Sequence, residues 1–228
     1  MSPDAIDVEL PGARVAFSTR AGGVSQGPYE SLNLGILTGD EPDHVHANRE
    51  RLTRSLGITR VAMGHQVHGT EMATWDSPSG ELIDVDGHVT DMPRLALLVL
   101  TADCLPVALA APGRVAMLHC GWRGIAGGII ANGVGAFDEP PTAVVGPGIG
   151  QRHFQVGAEV LEAFADVPAA ADGRLLDLRA VAEARLRTAG VQDVRHVDLC
   201  TYERDDLFFS YRRDGGVTGR QAGLIWRT

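Results

Sequence analysis

The sequence predicts a mixed α+β domain in which helices flank a central block of strands. Three short apolar runs, RLALLVLT, LPVALAAP and RVAMLHC, follow one another with turn residues between them, which is typical of buried strands. Two later segments, VGAEVLEAFADV and DLRAVAEARLRTAG, have the apolar spacing of amphipathic helices. Because helices and sheets must cover each other's apolar faces, we expect a layered mixed α/β fold, formed as a single domain over residues 1–228.

The first part of the chain is predicted to contain a strand followed by a helix. RVAFSTR is the strand, and the turn-rich segment AGGVSQGPYESLNLG follows it. Asp43 is predicted to be the N-cap of a helix that runs through HVHANRERLTRSL and ends at Gly57. His44 and His46 then lie two positions apart on the first turn, where side chains do not share a face, so we expect both to be solvated.

The second half continues with helices and ends in strands. The glycine-rich segment GIAGGIIANGVGAF is predicted to be helical and is followed by a loop around GPGIG. A later helix is predicted to have Asp177 as its N-cap and to end at Gly190. HVDLCTY and the terminal AGLIWRT are predicted to be strands.

The charged residues limit the classes of partner and of catalyst. The net charge is −9 and no basic stripe is present, so a nucleic-acid partner is not expected. All 20 basic residues are arginine, which excludes a lysine Schiff base, a P-loop and a Ser–Lys dyad. Any anion site must therefore be built from arginine side chains, backbone N–H groups or a metal ion.

The apolar segments and the cysteines indicate a cytoplasmic protein with no membrane partner. The longest apolar stretch, LALLVLTADCLPVALAAPG, is interrupted by Asp103 and two prolines, so we do not expect it to cross a bilayer. The N-terminal MSPDAIDVEL lacks the basic-then-apolar order of a secretory signal. Cys104, Cys120 and Cys200 are widely spaced and odd in number, which does not fit a disulfide framework.

A predicted hairpin selects one histidine and one cysteine as neighbours. If Pro112–Gly113 is a two-residue turn, facing residues have numbers that sum to 225, so Pro106 faces His119. Cys104 and His119 are then a diagonal pair on one face of the hairpin. The period of two sends Cys120 to the opposite face, although a register error of one residue would reverse this assignment.

The motif GHQVHGT supplies candidates for a third member of this group. Cys104 and His119 fit either a catalytic thiol with its base or two metal ligands. With His65 or His68 added, two histidines and one cysteine make a three-ligand site with an open fourth position, which is typical of catalytic zinc. From their spacing alone, these residues also fit ordinary core or surface side chains with no metal.

Seven ordered blocks, from about residue 17 to residue 226, resemble the laccase-domain family of multicopper polyphenol oxidases. They are STRAGGVSQGPYESLNLG, QVHGT, TADCLPV, HCGWRG, GPGIG, FQVGAEV and CTYERDDLFFSYRRD. The resemblance implies an α-β-β-α sandwich and one metal ion bound by His68, Cys104 and His119. Many relatives carry alanine in place of Cys120 and other polar residues in place of His65, so neither is implied as a shared ligand.

The resemblance also implies an activity. Members of the family are described as enzymes that cleave adenosine, inosine, guanosine and methylthioadenosine with phosphate, and that deaminate adenosine. These purine nucleosides and phosphate are the expected partners. Zinc is the expected cofactor, with copper as the alternative, because a His₂Cys site suits both metals.

Several residues in the matching blocks are candidates for substrate binding and catalysis. Phosphate is expected to be bound by arginine, whose planar fork matches its oxygens, although each candidate also fits a structural ion pair. Asn33 is a candidate contact to ribose or a brace for its loop. Asp103 is a candidate to orient a ligand or to act as an acid/base, and it also fits a turn cap. Cys104 is a candidate thiolate nucleophile as well as a ligand. Asp86 is expected to orient a ligand. The candidate phosphate-binding arginines are Arg20, Arg123 and Arg212.

Three other functions remain open at this point. A copper-dependent phenol oxidase agrees with the family name, but a laccase needs a type 1 copper and a trinuclear cluster built from repeated His-x-His pairs. This chain has eight histidines and one such pair. A hydrolase that corrects misincorporated peptidoglycan precursors would need no phosphate. The last alternative is a metal-binding module without enzymatic activity.

Overall fold

Two β-sheets lie face to face in the computed structural model, which describes residues 4–80 and 83–228. The strands are β1 (Ala5–Leu10), β2 (Ala13–Ser18), β3 (Val61–Ala62), β4 (Met72–Thr74), β5 (Gly87–Thr90), β6 (Ala96–Thr101), β7 (Leu105–Ala111), β8 (Arg114–Cys120), β9 (Thr142–Val145), β10 (Ala171–Asp172), β11 (Leu175–Leu176), β12 (Val194–His196) and β13 (Gln221–Arg227). The helices are α1 (Pro42–Ser55), α2 (Trp122–Gly127), α3 (Ile129–Gly135), α4 (Ala158–Ala163) and α5 (Leu178–Thr188).

The strand order defines a first and a second sheet. Among the described residues, the first sheet has the order β1-β2-β13-β6-β3 and the second has the order β12-β9-β7-β8-β5-β4. A short pair, β10-β11, stands apart from both. Strand β2 pairs with β13, so strands that are far apart in the sequence lie side by side within the first sheet.

Apolar cores between the layers confirm the predicted α-β-β-α sandwich. The two sheets pack on each other through residues such as Phe17 and Met117. Helix α1 covers the outer face of the first sheet, where Leu52 is buried. The helices that follow the β7–β8 hairpin cover the outer face of the second sheet through Ile129 and Val181. Burial of both faces of each sheet explains the nearly continuous apolar runs in the sequence.

The β7–β8 hairpin has the register that the sequence predicts. Ala111 pairs with Arg114 and Pro106 pairs with His119, so facing residues do sum to 225. Gly113 has a φ of 87°, which the glycine of a two-residue hairpin turn accommodates readily. The turn and the period of two together fix which side chains leave each face of this hairpin.

Helix α1 begins two residues earlier than predicted. Glu41 is the N-cap and its side chain makes no capping hydrogen bond, whereas Pro42 occupies the first helical position. The prediction of Asp43 as the N-cap is therefore wrong, because Asp43 lies within the first turn. The fixed φ of proline suits the first helical position, and an acidic residue just after it interacts favourably with the helix dipole.

The other helix predictions have mixed outcomes. Asp177 caps α5, since its carboxylate accepts hydrogen bonds from the backbone N–H groups of Arg179 and Ala180. The glycine-rich segment forms two short helices rather than one, because Gly128 between them has a φ of 104°. Within the described residues, none of the helices combines the length and apolar character needed to cross a membrane.

The prediction of a strand over HVDLCTY is largely wrong. Strand β12 ends at His196, and the residues that follow leave the sheet. Cys200 makes only an isolated bridge with Gly148. The Arg179 guanidinium donates hydrogen bonds to the carbonyl groups of Gly148 and Leu199, which add to two backbone hydrogen bonds between Gly148 and the 199–201 segment.

The packing between the sheets yields a stability prediction at Gly146. A Cβ atom on Gly146 would lie 2.3 Å from Cε1 of the buried Phe17. We therefore expect Gly146→Ala to lower the free energy of unfolding by about 1–3 kcal/mol, as overpacked core substitutions do. Urea denaturation followed by circular dichroism measures this change.

Gly135→Ala is the matched control, because a Cβ atom there meets no atom within 4 Å. Alanine is favoured over glycine in a helix, so this variant should be neutral or more stable by up to about 1 kcal/mol. Equal stability of the two variants would contradict the close packing of Gly146 on Phe17.

Candidate metal centre and its cavity

Three side chains that could bind a metal ion meet where the two sheets come together. The ligand atoms of His68, Cys104 and His119 all lie within 4.8 Å of one another. His68 lies in the loop after β3, Cys104 just before β7 and His119 near the end of β8. The Sγ atom of Cys104 is 3.8 Å from Nε2 of His68. Among the described residues, no other group of three His, Cys, Asp or Glu side chains converges in this way.

The buried carboxylate of Asp86 orients this group. Its Oδ1 atom is 2.7 Å from Nδ1 of His119, which leaves the Nε2 atom of the imidazole for a ligand. The same carboxylate accepts hydrogen bonds from the backbone N–H groups of Val67, His68 and Gly69. Asp86 therefore holds both histidine-bearing segments, in the role expected from the sequence.

Charge within the group favours a thiolate. Burial alone would raise the pKa of Cys104, but the charge of His119 and hydrogen bonds from His119 and His68 lower it to about 6. Burial alone would lower the pKa of His119, but the thiolate of Cys104 and the carboxylate of Asp86 raise it to about 9. A thiolate is the form that either binds a metal or acts as a nucleophile.

The backbone around the group is adapted to close approach. A Cβ atom on Gly121 would lie 2.8 Å from Cδ2 of His68 and 3.1 Å from Sγ of Cys104, so this position requires glycine. His68 and Asp103 have φ values of 61° and 95°, which residues other than glycine rarely adopt. Such conformations cost free energy and are common at functional sites, where the surrounding fold maintains them.

Cys120 points away from the group, as the hairpin parity predicts. It is fully buried among the apolar residues between the second sheet and its helices. Burial raises the pKa of this thiol well above its ordinary value, so it remains protonated and unreactive. His65 is also separate from the group, because its Nδ1 atom lies 2.8 Å from the Asp84 carboxylate.

A cavity of about 560 Å³ opens beside the group. Its walls come from the loop before α1, the ends of β6 and β8, the starts of α2 and α5, and the segment that precedes β13. Apolar side chains such as Met63, Leu100, Ile149 and Phe154 line part of it. Its volume lies within the range of pockets that enclose small organic ligands.

Asp103 lines the cavity but is engaged with the protein. Its Oδ1 atom accepts a hydrogen bond of 2.6 Å from the Thr201 hydroxyl, and its Oδ2 atom accepts one of 2.7 Å from the backbone N–H of Arg212. Its backbone carbonyl accepts a third from the N–H of Ile149. These bonds tie together three segments of the cavity wall, which favours a positioning role over proton transfer.

Two of the three arginines predicted to bind phosphate reach the cavity. The Arg123 guanidinium lies 4.5 Å from the centre of the Trp122 ring, and both residues line the cavity. Arg212 also lines it, and its Nη1 atom donates hydrogen bonds to the carbonyl groups of His153 and Gln155.

Arg20 and Asn33 serve the surrounding structure instead. Arg20 donates hydrogen bonds to the carbonyl groups of Glu30 and Asp205 and does not line the cavity. Asn33 is fully buried, and its Oδ1 atom accepts a hydrogen bond of 2.9 Å from the backbone N–H of Arg220. Neither side chain is placed where it would touch a ligand of the cavity.

The motifs gave no indication of Arg49 and Arg220, which also line the cavity. A signal for Arg49 was present in the sequence. It lies four residues after Val45 and three before Leu52, both buried, so the helical period places it on the apolar face of α1. An arginine at a position where the pattern requires an apolar residue indicates a special role. No comparable pattern marks Arg220.

The chain is similar to known proteins over nearly its whole length. Purine nucleoside phosphorylase YfiH of Escherichia coli (strain K12) is 40% identical over 229 residues, which cover 94% of each chain. Purine nucleoside phosphorylase SCO2081 of Streptomyces coelicolor is 42% identical over 233 residues, covering 94% of this chain and 96% of the relative.

Solved structures are also similar to this chain. Protein NMB0706 of Neisseria meningitidis has a TM-score of 0.89 at 38% identity and covers 100% of this chain and 99% of its own. The Bacillus licheniformis hypothetical protein YfiH has a TM-score of 0.90 at 31% identity, and the match covers 95% of this chain and 93% of the Bacillus licheniformis chain. A family model described as multi-copper polyphenol oxidoreductase laccase matches residues 14–228. The chain belongs to this family.

Proposed function

We propose that this protein is a metal-dependent purine nucleoside phosphorylase that also deaminates adenosine. The observation that carries the proposal is the meeting of a His₂Cys group and several arginine side chains in one cavity. The names of the relatives, purine nucleoside phosphorylase, support the same activity. The expected nucleosides are adenosine, inosine, guanosine and methylthioadenosine.

The donor set fits a divalent metal. His68, Cys104 and His119 would bind it, and the hydrogen bond from His119 to Asp86 fixes the tautomer that ligation requires. One thiolate and two imidazoles suit zinc, and they also suit copper. When bound, the metal would supply a Lewis acid at the wall of the cavity. We take zinc as the cofactor, with copper as the alternative.

The proposed phosphorolysis exchanges one bond at ribose for another. A phosphate oxygen forms a bond to C1′ while the bond between C1′ and the purine nitrogen breaks. The electron pair of that bond stays on the base, which takes up the proton released by phosphate, and ribose 1-phosphate is formed. The chain must therefore bind an anion, neutralise its charge near C1′ and enclose an apolar base. Arginines of the cavity suit the first two tasks, and its apolar wall suits the third.

The two proposed catalytic residues receive different roles. Asp103 is proposed to position the Arg212 segment, because both of its carboxylate oxygens already accept protein hydrogen bonds. Cys104 is proposed to act as a metal ligand, because two imidazoles converge on its sulfur. A thiolate nucleophile at Cys104 is the alternative, and it would form a covalent bond to the substrate.

The other functions receive less support. A laccase needs several copper centres, whereas the described residues contain one converging group of three ligands. A hydrolase acting on peptidoglycan precursors would need no inorganic phosphate, whereas the relatives reported above are named purine nucleoside phosphorylases. A cavity of this volume next to three possible metal ligands favours an enzyme over a simple metal-binding module.

Dependence on phosphate tests the proposed activity. The zinc-loaded protein is incubated with inosine or adenosine, with and without inorganic phosphate, and the products are separated by chromatography. We expect free base and ribose 1-phosphate only when phosphate is present. The deamination of adenosine to inosine should not require phosphate. No base release from fully loaded protein, together with oxidation of a phenolic dye by the copper form, would replace this proposal with the oxidase.

The parity of the hairpin predicts different metal contents for two cysteine variants. Cys104→Ala removes a proposed ligand, so its zinc affinity should fall by more than the roughly 10–100-fold typical of losing a partner outside the ligand set. Cys120→Ala is the control, because that side chain lies in the apolar core on the opposite face. Elemental analysis after dialysis measures bound zinc. Equal losses in the two variants would refute the ligand assignment.

The role of Asp86 is tested by a pair of carboxylate variants. Asp86→Asn weakens the bond that orients His119, so zinc affinity should fall about 10–100-fold. Asp84→Asn is the control, because Asp84 pairs with His65 outside the group. Zinc titration against a competing chelator gives both affinities. Asp86 has no orienting role if both variants bind zinc like the unmodified protein.

A further inference from the structure

Two arginines that no motif indicated, Arg49 and Arg220, line the cavity wall. Leu34 connects them, since its carbonyl accepts a hydrogen bond from Nε of Arg49 and its backbone N–H donates to the carbonyl of Arg220. Both side chains line the cavity that contains the His₂Cys group. They come from α1 and from the residue before β13, so the tertiary fold alone brings them together.

These guanidinium groups lack the partners that half-buried cations normally have. Among the described residues, neither Arg49 nor Arg220 lies within ion-pair distance of a carboxylate, and burial lowers the pKa of both. Arg49 uses only Nε in a hydrogen bond, and Arg220 uses only Nη1, to the carbonyl groups of Thr218 and Gly219. Withdrawing a cation from water is costly unless an anion compensates it. The remaining N–H donors are therefore available to an anionic ligand.

The hydroxyl of Thr101 is a third, independent indication. Thr101 ends β6 and pairs with Gln221, the residue that follows Arg220 in the chain. It lines the same cavity and is only 2% exposed, yet its Oγ1 atom has no hydrogen-bond partner among the described residues. Buried hydroxyl groups are nearly always hydrogen-bonded, so an unpartnered one in a cavity wall indicates a missing ligand.

We propose that inorganic phosphate, the co-substrate in the function proposed above, binds between Arg49, Arg220 and Thr101. The two guanidinium forks match phosphate oxygens, and the hydroxyl donates one further hydrogen bond. Thr101 precedes Cys104 by only three residues, so this anion site adjoins the proposed metal ligands. The nucleoside then lies with its ribose between the two and its base against the apolar wall.

The rim arginines differ from this pair. Arg123 and Arg212 are exposed to solvent, whereas Arg49 and Arg220 are half-buried. Asn33 belongs to the anion site indirectly, because its Oδ1 atom fixes the backbone of Arg220. It is a positioning residue, and it does not contact the phosphate.

Steady-state kinetics with varied inorganic phosphate and saturating inosine test the assignment. Arg49→Gln and Arg220→Gln should raise the KM for phosphate on the order of a hundredfold, since each removes one partner of a buried charge pair. Thr101→Val should raise it about tenfold, as loss of a hydrogen bond to a charged group does. The KM for inosine and the bound zinc should stay within about twofold of the unmodified protein, a range well below the losses expected for phosphate.

Two controls separate phosphate binding from damage to the fold. Thr101→Val removes a hydroxyl that has no hydrogen-bond partner in the part of the chain that the structure describes, so its melting temperature should not fall, and Thr101→Ser should keep the KM for phosphate of the unmodified protein. Arg54→Gln removes an exposed arginine of α1 that does not line the cavity and should change the KM for phosphate by less than about threefold, as expected for an exposed charge. A large rise for Arg123→Gln with none for Arg49→Gln or Arg220→Gln would overturn the assignment.

A binding measurement separates failure of this site from failure of the proposed activity. Inorganic phosphate should raise the melting temperature of the unmodified protein and should not raise that of Arg49→Gln or Arg220→Gln. If this difference holds but no base is released, the anion site stands and the phosphorylase proposal falls. Equal protection of all variants, or protection only by a nucleoside 5′-monophosphate, would refute a site for inorganic phosphate.

Discussion

The Asp86 carboxylate is the constraint on which the candidate site depends. It accepts three backbone N–H groups from the loop that carries His68 and also binds Nδ1 of His119. Burial alone would raise the pKa of Asp86, but the bond to His119 and the backbone bonds hold it below its ordinary value. The backbone carbonyl of Asp86 also accepts the N–H of His119, next to the pairing of β5 with β8. One buried anion therefore fixes two of the three possible ligands by both side chain and backbone.

The sequence predicts the part of the site that local rules determine. A two-residue turn at Pro112–Gly113 sets the register of β7 and β8, and the period of two then separates His119 from Cys120. No information from the rest of the fold is needed for that step, so the direction of these side chains follows from the sequence. The Asp177 cap of α5 is predictable for the same reason, because a cap involves only neighbouring residues.

The remainder depends on contacts between distant segments. An arginine has similar local surroundings whether it braces a loop or faces a ligand, so Arg20 resembles a phosphate contact in the sequence and yet bonds to Glu30 and Asp205. Arg49 and Arg220 lie 171 positions apart in the sequence (220 minus 49). The folded chain connects them through Leu34, whose backbone carbonyl bonds to Arg49 and whose backbone N–H bonds to Arg220. The predicted start of α1 is wrong because the preference of Pro42 for the first helical position outweighs the preference of Asp43 for the N-cap.

The family description emphasises copper oxidation, whereas the cavity combines two sites of opposite charge preference. The His₂Cys group, with its thiolate, suits a cation, and the half-buried guanidinium groups of Arg49 and Arg220 suit an anion. Electron transfer through several copper ions has no need for two half-buried arginines that lack a carboxylate partner within residues 4–80 and 83–228, and retaining such arginines costs stability. A reaction that brings a phosphate to a sugar carbon needs this arrangement, because the anion must be desolvated and neutralised beside the reacting centre. The arginine pair therefore explains why phosphorolysis fits this cavity better than oxidation does.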